Sequence, residues 1–311
     1  MDIRIKNIVK YLTDKKVFTD ITSIEPINTG ASGAKLFLIS DSKNNYVLKN
    51  AHHNNGGHIN SYINEYDFYK LNDKLKLPFV PETLYYENHR DYGIVLVICF
   101  YKPISHNEWD TELLLKAVGL CAELNSLDIE TVSDLNLNFN KVKIDHKFAK
   151  QSYEAWKYVI NRHTGYFDSV IIDKIYKNLD IVCPILNAEP HYICHGDFHP
   201  ENILSDGKKL FICDWQNISL GKCMVDISFF ISRATAFGIE INDNELFDYY
   251  CAKLSEYSQT MVDKSILQKD KDASVVLNTF LYWAYYLKDG SIERISPLFE
   301  SMVNSFNNLN K

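Results

Sequence analysis

The segment HYICHGDFHPENIL, residues 191–204, is rich in side chains that can bind metals or move protons. Three histidines recur in it at intervals of four residues: His191, His195 and His199. On one helix they would share a face, as zinc ligands sometimes do. The first residues are aromatic and β-branched, however, Gly196 follows them, and Pro200 would end a continuing helix. We therefore predict a strand, a loop and a second strand, and interpret the histidine spacing as accidental.

A set of oxygen-bearing side chains offers a different chemistry. Asp197 and Asn202 are five residues apart on the predicted loop, and an apolar run leads into Asp214, twelve residues after Asn202. Such side chains on two adjacent loops can hold Mg²⁺, which prefers hard oxygen ligands and takes more of them from substrate phosphates. These oxygen donors are therefore better candidates for a magnesium site than the histidines are for a zinc site.

The pattern H-x-D-x-x-x-x-N followed by D-x-x resembles the catalytic and metal loops of the kinase fold. More specifically, HGDFHPEN and DWQ resemble motifs of the aminoglycoside phosphotransferase and choline kinase-like superfamily of small-molecule kinases. The resemblance implies that Asp197 accepts a hydrogen bond from the acceptor hydroxyl and later takes its proton. It also implies that His195 holds the loop and that Asn202 and Asp214 ligate Mg²⁺.

The stretch NTGASGA, residues 28–34, lies between two predicted strands. Taken alone it predicts a hairpin turn, since it lacks the G-x-x-x-x-G-K-[ST] spacing of a P-loop. The resemblance implies a phosphate-binding loop. In that loop, Gly30 and Gly33 would let backbone N–H groups approach a phosphate, and Ser32 would touch it.

Other nucleotide contacts follow from the same resemblance. Lys49 ends the apolar strand YVLKN, and in the related kinases this position contacts the α- and β-phosphates and pairs with a helix glutamate. Glu65 is the expected partner, with Asp67 as its rival. Adenine is expected to hydrogen-bond the backbone between the lobes, and we place that contact at Cys99 and Tyr101.

Three positions bear on how far the resemblance extends. DWQ replaces the glycine-containing DFG, which argues against a metal loop that flips. Asn125 in LNSL stands where relatives commonly have histidine, at a position that we interpret as structural. Asp226 in MVDISFF resembles the superfamily's aspartate beyond the metal loop, and we expect it to cap a helix or to brace the loop.

The patterns along the chain predict an α+β, two-lobed protein kinase-like fold. Residues 1–102 contain an amphipathic helix, five strand-like runs and a second helix that Pro78 ends, and form the predicted nucleotide-binding lobe. Residues 103–311 form the predicted catalytic and acceptor-binding lobe, with helices near 112–127, 145–160, 168–187, 224–237, 243–258 and 265–289. The nucleotide is expected in the cleft between the lobes.

Composition restricts the partners. The chain has 311 residues and a net charge of −7, and it lacks the stripe of lysine and arginine that is typical of nucleic-acid binding. No apolar run is long enough to span a membrane, and the N-terminus lacks the apolar segment of a signal peptide. Seven cysteines without a C-x-x-C pair predict reduced thiols in a cytoplasmic protein. We expect a monomer or weak dimer.

The leading hypothesis is a small-molecule kinase that uses Mg²⁺ and takes ATP or GTP as phosphate donor for a small hydroxylated acceptor. An aminoglycoside antibiotic is one candidate acceptor. The alternatives are a choline- or sugar-type metabolite kinase and a pseudokinase that binds nucleotide without turnover. A protein kinase is disfavoured, because only twelve residues lead from Asp214 to Asp226 and no A-P-E segment follows.

Two groups of side chains could contact the acceptor. Acidic residues of the C-terminal helices could attract a cation, although we favour a solvated helix face for them: Glu240, Asp243, Glu245, Asp248 and Glu293. Aromatic residues of LYWAYY could stack on a sugar or enclose a quaternary amine, although we favour core packing for them: Tyr282, Trp283, Tyr285 and Tyr286.

Overall fold

The computed structural model describes residues 3–27, 33–52, 59–135, 137, 139 and 141–311, with Ile59 described by its backbone only. Within these ranges the chain forms two compact units. The first comprises Met1–Pro103 together with Ile203–Asn217, and the second comprises Ile104–Asn202 together with Ile218–Lys311. The sequence predicts a lobe boundary between residues 102 and 103, and this boundary stays a prediction. The compact units differ from it by placing residues 203–217 with the first unit.

The first unit is built on a five-stranded antiparallel sheet in the order β1-β2-β3-β5-β4. Its strands are β1 Ser23–Ile27, β2 Lys35–Ser40, β3 Asn45–Ala51, β4 Thr83–His89 and β5 Gly93–Cys99. β5 lies inside the sheet and is buried on both faces from Gly93 to Ile98. This double burial explains why its sequence is continuously apolar and does not alternate.

Two helices accompany this sheet: α1 Ile3–Asp14 and α2 Ile59–Leu75. α1 packs an apolar face into the same core as the sheet, with the i, i+3, i+4, i+7 spacing of an amphipathic helix: Ile5, Ile8, Val9 and Leu12. α2 ends at Leu75, and Lys76 then adopts a φ of +55°, so the chain leaves the helical path before Pro78.

A small second sheet explains why residues 203–217 belong to the first unit. It contains β6 Lys102–Pro103, β8 Ile203–Ser205 and β9 Leu210–Ile212 in the order β6-β8-β9. The Ile212 N–H donates to the Phe79 carbonyl at 2.7 Å. Beyond β9, the fully buried Trp215 stacks on Phe68 with ring centroids 4.0 Å apart. Backbone pairing and aromatic packing therefore both hold this segment.

The second unit is mainly helical. Its helices are α3 Thr111–Asn125, α4 His146–Arg162, α5 Ser169–Lys177, α6 Val182–Leu186, α7 Cys223–Ala236, α8 Asp243–Ser258, α9 Lys264–Asn278, α10 Ala284–Leu287 and α11 Ile292–Leu309. β7 Tyr192–Cys194 and β10 Ser219–Gly221 form an antiparallel pair. Over the described ranges, no helix combines the length and the apolar character needed to cross a membrane.

The helical unit differs from the sequence expectation in three places. The helix predicted over 168–187 is split between α5 and α6 by a short 3₁₀ turn. The helix predicted over 265–289 is interrupted by a π-helical turn, Thr279–Trp283, between α9 and α10. The sequence patterns do not predict α11, and Pro297 lies inside it.

Packing explains why α11 forms in spite of its proline. A proline inside a helix costs about 3 kcal/mol, because a hydrogen bond is lost and the ring crowds the preceding turn. α11 buries five apolar side chains along one face: Ile295, Leu298, Phe299, Met302 and Phe306. Each contributes roughly 1.5–3 kcal/mol, so tertiary burial outweighs the local penalty.

Candidate active site

The predicted ion pair of the first unit is present. Lys49 lies on β3, and its Nζ is 2.7 Å from Oε2 of Glu65 on α2. The side chains of Lys49 and Glu65 are 13% and 5% exposed. Asp67, the rival candidate, interacts with Lys70 instead. Residues two apart on a helix point in nearly opposite directions, so only one of the two acids can face the sheet.

Lys49 has a second carboxylate partner. Its Nζ is also 2.8 Å from Oδ1 of Asp214, which lies just beyond β9. Burial acts to lower the pKa of Lys49, but the charges of Glu65 and Asp214 outweigh it and raise that pKa above its ordinary value. One ammonium cannot fully neutralise two carboxylates, and burial raises the pKa of Glu65 to about 7. The first unit thus holds a buried cation between two acids.

The turn that carries Asp214 is fixed by its own neighbours. Asp214 has a φ of +66°, a left-handed conformation that aspartate tolerates better than most residues. Its Oδ1 accepts a hydrogen bond from Nε2 of Gln216 at 2.6 Å, and the Trp215 indole N–H donates to the Ile212 carbonyl at 2.9 Å. Sequence reasoning misses Gln216, because it treats DWQ only as a departure from DFG. An amide two residues after a candidate metal ligand is the signal that could have found it.

Part of the predicted phosphate loop lies outside the described residues. Gly30 and Ser32 belong to residues 28–32, so their predicted contacts stay predictions. Gly33 is described and has a φ of +81°, a backbone conformation that glycine adopts without strain. This backbone conformation at Gly33 is compatible with both interpretations of the segment.

The predicted adenine contact lies at the end of β5. The Cys99 N–H donates to the Glu82 carbonyl at 2.9 Å, and the Phe100 N–H donates to the Asn45 carbonyl at 3.0 Å. The Tyr101 ring stacks on Phe211 with centroids 4.0 Å apart. The backbone N–H groups of Cys99 and Phe100 therefore already donate hydrogen bonds within the first unit. The assignment of adenine contacts to Cys99 and Tyr101 stays a prediction.

In the second unit, Asp226 braces the backbone of the HGD motif. Its Oδ2 accepts the His195 N–H at 2.8 Å, and its Oδ1 accepts the Gly196 N–H at 2.9 Å. Gly196 has a φ of +79°, which explains the glycine between His195 and Asp197. Asp226 lies within α7, whose N-cap is Lys222. Of the two expected roles, loop bracing is confirmed and helix capping is wrong.

Burial raises the pKa of Asp226 to about 6, against the opposing effect of its two backbone donors. A raised pKa means that Asp226 contributes stability below the unfolded pKa, and that this contribution is lost as pH rises through the folded pKa. Replacement by asparagine should destabilise the protein by roughly 1–3 kcal/mol, because an amide NH₂ would face a backbone N–H.

We expect the destabilisation caused by Asp226→Asn to shrink between about pH 4 and pH 6, by up to about 3 kcal/mol. Urea denaturation at several pH values would measure it. Asp110→Asn is the matched control, because Asp110 is an exposed N-cap whose replacement by asparagine preserves the cap. If the difference in unfolding free energy between wild type and Asp226→Asn stays constant or grows over this pH range, the raised pKa of Asp226 is contradicted.

The central carboxylate, Asp197, is held by its own loop. Nδ2 of Asn202 donates to the Asp197 carbonyl at 2.9 Å and to Oδ2 of Asp197 at 3.3 Å. Nε2 of His199 lies 3.7 Å from Oδ1 of Asp197. Burial acts to raise the pKa of Asp197, but its contacts with His199, His195 and Asn202 leave that pKa below its ordinary value. Asp197 is therefore ionised at neutral pH and can accept a proton.

His195 lies within the same loop and supports it. It is fully buried, and its Nδ1 accepts the Asp197 N–H at 3.3 Å. The sequence places His199 with Pro200 and Glu201 in the variable middle of the loop, as residues that could shape the acceptor site, but it does not predict the contact of His199 with Asp197. The contact between His199 and Asp197 is local, so the acid-x-His spacing is the signal that could have found it.

Asn125 has the structural surroundings expected of it. Its Nδ2 donates to the Ile193 carbonyl on β7 at 2.8 Å, and its Oδ1 accepts the Tyr250 hydroxyl at 2.8 Å. These buried bonds join α3, β7 and α8 next to the HGD motif. Asparagine thus satisfies the neighbouring polar groups at this buried position.

The three histidines of the motif have separate surroundings. His191 contacts Glu189 and Phe139, His195 is buried within the loop, and His199 packs edge-on against Phe229. In the part of the chain that the structure describes, no group of three or more His, Cys, Asp or Glu residues could hold a metal ion. The interpretation of their spacing as accidental agrees with this arrangement.

The predicted magnesium ligands have the right donor chemistry. The Asn202 amide nitrogen donates its hydrogen bonds to Asp197, so the amide oxygen is the atom that can face a metal. The Asp214 side chain is 34% exposed, and Oδ1 is the oxygen that contacts Lys49 and Gln216. Both residues offer hard oxygen, as Mg²⁺ prefers. Asn202 belongs to the second unit and Asp214 to the first, so their joint role stays a prediction.

The structure agrees with the expectation for the acidic candidate acceptor residues and only in part with that for the aromatic ones. The acids are exposed or partly exposed, and two of them are paired with lysines: Asp243 with Lys271 at 2.7 Å and Asp248 with Lys264 at 2.6 Å. This agrees with a solvated helix face. The aromatic residues are expected to pack in the core, and this prediction is right for Trp283. It is wrong for Tyr282, Tyr285 and Tyr286, which are 50%, 44% and 64% exposed. The π-helical turn and α10 direct these tyrosines to the surface.

Comparisons with known proteins establish the family and the fold. A model of the phosphotransferase enzyme family matches residues 23–259. A choline kinase from Cryptosporidium parvum Iowa II is similar with a TM-score of 0.62 and 14% identity, over 98% of this chain and 96% of that one. The GDP complex of aminoglycoside 2'-phosphotransferase-IIIa gives a TM-score of 0.56 and 13% identity, over 99% of both chains.

The amicoumacin kinase hAmiN, in complex with AMP-PNP, Ca²⁺ and Ami, gives a TM-score of 0.59 and 12% identity, over 96% of this chain and 92% of that one. No curated protein sequence matches the chain. At these identities the structural similarities establish the fold alone. The predicted fold class, a protein kinase-like α+β fold, is confirmed.

The fold is kinase-like, and the family match makes this chain a phosphotransferase that acts on an alcohol group. The chain belongs to the phosphotransferase enzyme family, whose model spans residues 23–259.

Proposed function

We propose that this chain transfers the γ-phosphate of ATP or GTP to a hydroxyl group of a small acceptor. The observation that carries the proposal is that Asp197 is ionised and lies on a firmly held loop. Its carboxylate is ionised, because its contacts with His199, His195 and Asn202 hold its pKa below the ordinary value. Its loop is fixed by the two backbone bonds to Asp226. A general base needs both an available lone pair and a defined position.

The reaction requires little covalent work from the protein. The acceptor oxygen forms a bond to the γ-phosphorus while the bond from that phosphorus to the bridging oxygen breaks, and the nucleoside diphosphate leaves. The hydroxyl proton passes to Asp197. Because the transition state is loose, most of the rate comes from orienting the hydroxyl and the phosphate.

The first unit is proposed to bind the nucleotide. Lys49 is the candidate for contacting the α- and β-phosphates, and Glu65 limits the positions that its ammonium can take. Gly30, Ser32 and Gly33 are proposed to contact phosphates, and Cys99 and Tyr101 are proposed to lie beside the base. The described geometry of Gly33 and the buried Lys49 pair support this assignment.

A divalent metal is proposed to accompany the nucleotide, with Asn202 and Asp214 as its protein ligands. When bound, Mg²⁺ would neutralise part of the phosphate charge. Similar structures contain GDP in one case and AMP-PNP with Ca²⁺ in another, which supports a nucleotide donor and a divalent metal for this chain. A cytoplasmic setting and a monomer or weak dimer are kept as proposals.

A panel of acceptors tests the proposed function. The purified protein would be incubated with Mg²⁺ and ATP or GTP, and ADP and GDP release would be measured with an aminoglycoside, choline and several sugars. We expect release that depends on one class of small alcohol and requires the metal. Phosphorylation of generic protein substrates, with no transfer to any small alcohol, would overturn the proposal. Nucleotide binding without any release would favour a pseudokinase.

A further inference from the structure

One face of α7 stands beside the catalytic loop. Phe229 and Arg233 on α7 and Phe237, which directly follows it in helical conformation, are four residues apart and therefore share one side. Phe229 contacts the edge of His199, whose Nε2 is 3.7 Å from Asp197. Phe237 stacks on His106 with centroids 4.0 Å apart. We call Phe229, Arg233, Phe237 and the loop residue Glu201 the α7 wall.

The α7 wall contains an ion pair of opposite charges. Nη2 of Arg233 contacts Oε2 of Glu201, and the guanidinium carbon lies 4.9 Å from the Phe237 ring centroid. Stacking on an aromatic face fixes the guanidinium more firmly than the ion pair alone would. Glu201 also lies beside His199, with Oε2 3.7 Å from Nδ1. The ion pair is therefore separated from Asp197 by one histidine.

Both members of the pair remain within reach of a ligand. The side chains of Arg233 and Glu201 are 23% and 48% exposed. Nε of Arg233 is buried and has no hydrogen-bond partner among the described residues, so a ligand would meet the terminal nitrogens of the guanidinium instead. The guanidinium has five N–H donors, so the single contact with Glu201 leaves most of its hydrogen-bonding capacity unused. The wall can thus offer both donors and a carboxylate oxygen.

A polycation would need an acidic surface to bind, and the α7 wall does not carry a net negative charge. Its negative charge, on Glu201, is matched by the positive charge of Arg233. Two of the three α8 acids considered as acceptor contacts pair with lysines elsewhere in the same unit: Asp243 with Lys271, and Asp248 with Lys264. A cation approaching Glu201 must compete with a guanidinium already in place and is repelled by it.

We propose that Arg233 is a specificity-determining residue that selects hydroxylated acceptors without net positive charge and disfavours polycations. A neutral polyol can hydrogen-bond to the pair without separating it, and a zwitterion can complement both charges. This inference rests on the proposed function, because it takes Asp197 to act on the acceptor hydroxyl. It deepens that function by restricting the acceptor class.

The test compares Arg233→Gln with Arg162→Gln. Arg162 pairs with Asp289 at the surface of the same unit, so its replacement removes an equal charge at a matched kind of ion pair. Calorimetry would measure the affinity of kanamycin, a polycation, in the presence of Mg²⁺ and AMP-PNP. We expect Arg233→Gln to raise the affinity about tenfold relative to Arg162→Gln. Arg233→Lys should behave like wild type, because it keeps the charge.

Two results would overturn the inference. One is equal kanamycin affinity for Arg233→Gln and Arg162→Gln, and the other is a wild-type kcat/KM that is highest for polycations in the acceptor panel. If Arg233→Gln does not fold, Glu201→Gln gives a second test, because Glu201 is about half exposed. That variant should bind kanamycin more weakly than wild type, and unchanged or tighter binding would also refute the inference.

Failure of the proposed function would look different. If Asp197→Asn retained full phosphate transfer, the assignment of the base would fail, whereas the difference in kanamycin affinity between the two arginine variants would not depend on Asp197. If transfer depends on Asp197 but the arginine variants bind kanamycin alike, the function stands and the selectivity of Arg233 is refuted. The two proposals are therefore tested separately.

Discussion

Replacing Asp197 with asparagine is expected to lower kcat at least about 10²-fold while nucleotide affinity stays close to that of wild type. Asparagine has nearly the same shape as aspartate, and its amide can still face Asn202 and His199. It cannot take a proton from the acceptor hydroxyl, however. The loss should therefore appear in turnover and not in the binding of the donor nucleotide, and steady-state kinetics with calorimetry would separate the two.

Asp206→Asn is the matched control for this variant. Asp206 lies in the turn between β8 and β9, where its Oδ1 accepts the N–H groups of Lys208 and Lys209 at 2.8 and 2.7 Å. The same substitution there removes one negative charge without touching Asp197. We expect wild-type kcat for Asp206→Asn. A normal kcat for Asp197→Asn would remove Asp197 from its proposed role.

Replacing Asp214 with asparagine is expected to reduce turnover by about 10²–10³-fold or more, the range seen when a group that stabilises transition-state charge is lost. It should also weaken the dependence of nucleotide binding on Mg²⁺. The asparagine variant is preferable to alanine, because Asp214 has a φ of +66° and asparagine tolerates that backbone conformation. The effect measured is then the loss of charge and not added backbone strain.

Asp20→Asn is a closely matched control for this second prediction. Asp20 is exposed and also has a positive φ, at +44°, so the same substitution is made in a similar backbone conformation. Nucleotide affinity would be measured with and without Mg²⁺ for wild type and both variants. An unchanged metal dependence in Asp214→Asn would show that this carboxylate is not a metal ligand.

Local sequence patterns are sufficient for most elements that carry the site. Alternation and apolar runs predict β2, β3 and β5, and helical spacing predicts α2 with Glu65 on it. The ion pair between Lys49 and Glu65 follows from a resemblance in motif order and is present at 2.7 Å. These features can be predicted because strand and helix periodicity depend on residues close together in sequence.

Local patterns are less informative where packing opposes them. α11 forms around Pro297, since burial of one apolar face outweighs the local penalty of the proline. The tyrosines of LYWAYY are expected in the core, but a π-helical turn changes the angle at which successive side chains leave the helix. Tyr285 and Tyr286 are therefore exposed, whereas Trp283 is buried.

Residue types and their spacing are enough to identify the candidate catalytic side chains: Asp197, Asn202 and Asp214 at kinase-like spacing, with Lys49 on a strand. How these side chains are held depends on long-range packing. Asp226 reaches the backbone of His195 from 31 residues away, and Arg233 reaches Glu201 from 32 residues away. Such contacts depend on which helix face packs against which loop. That choice is made by burial of the whole apolar surface, which no short stretch of sequence encodes.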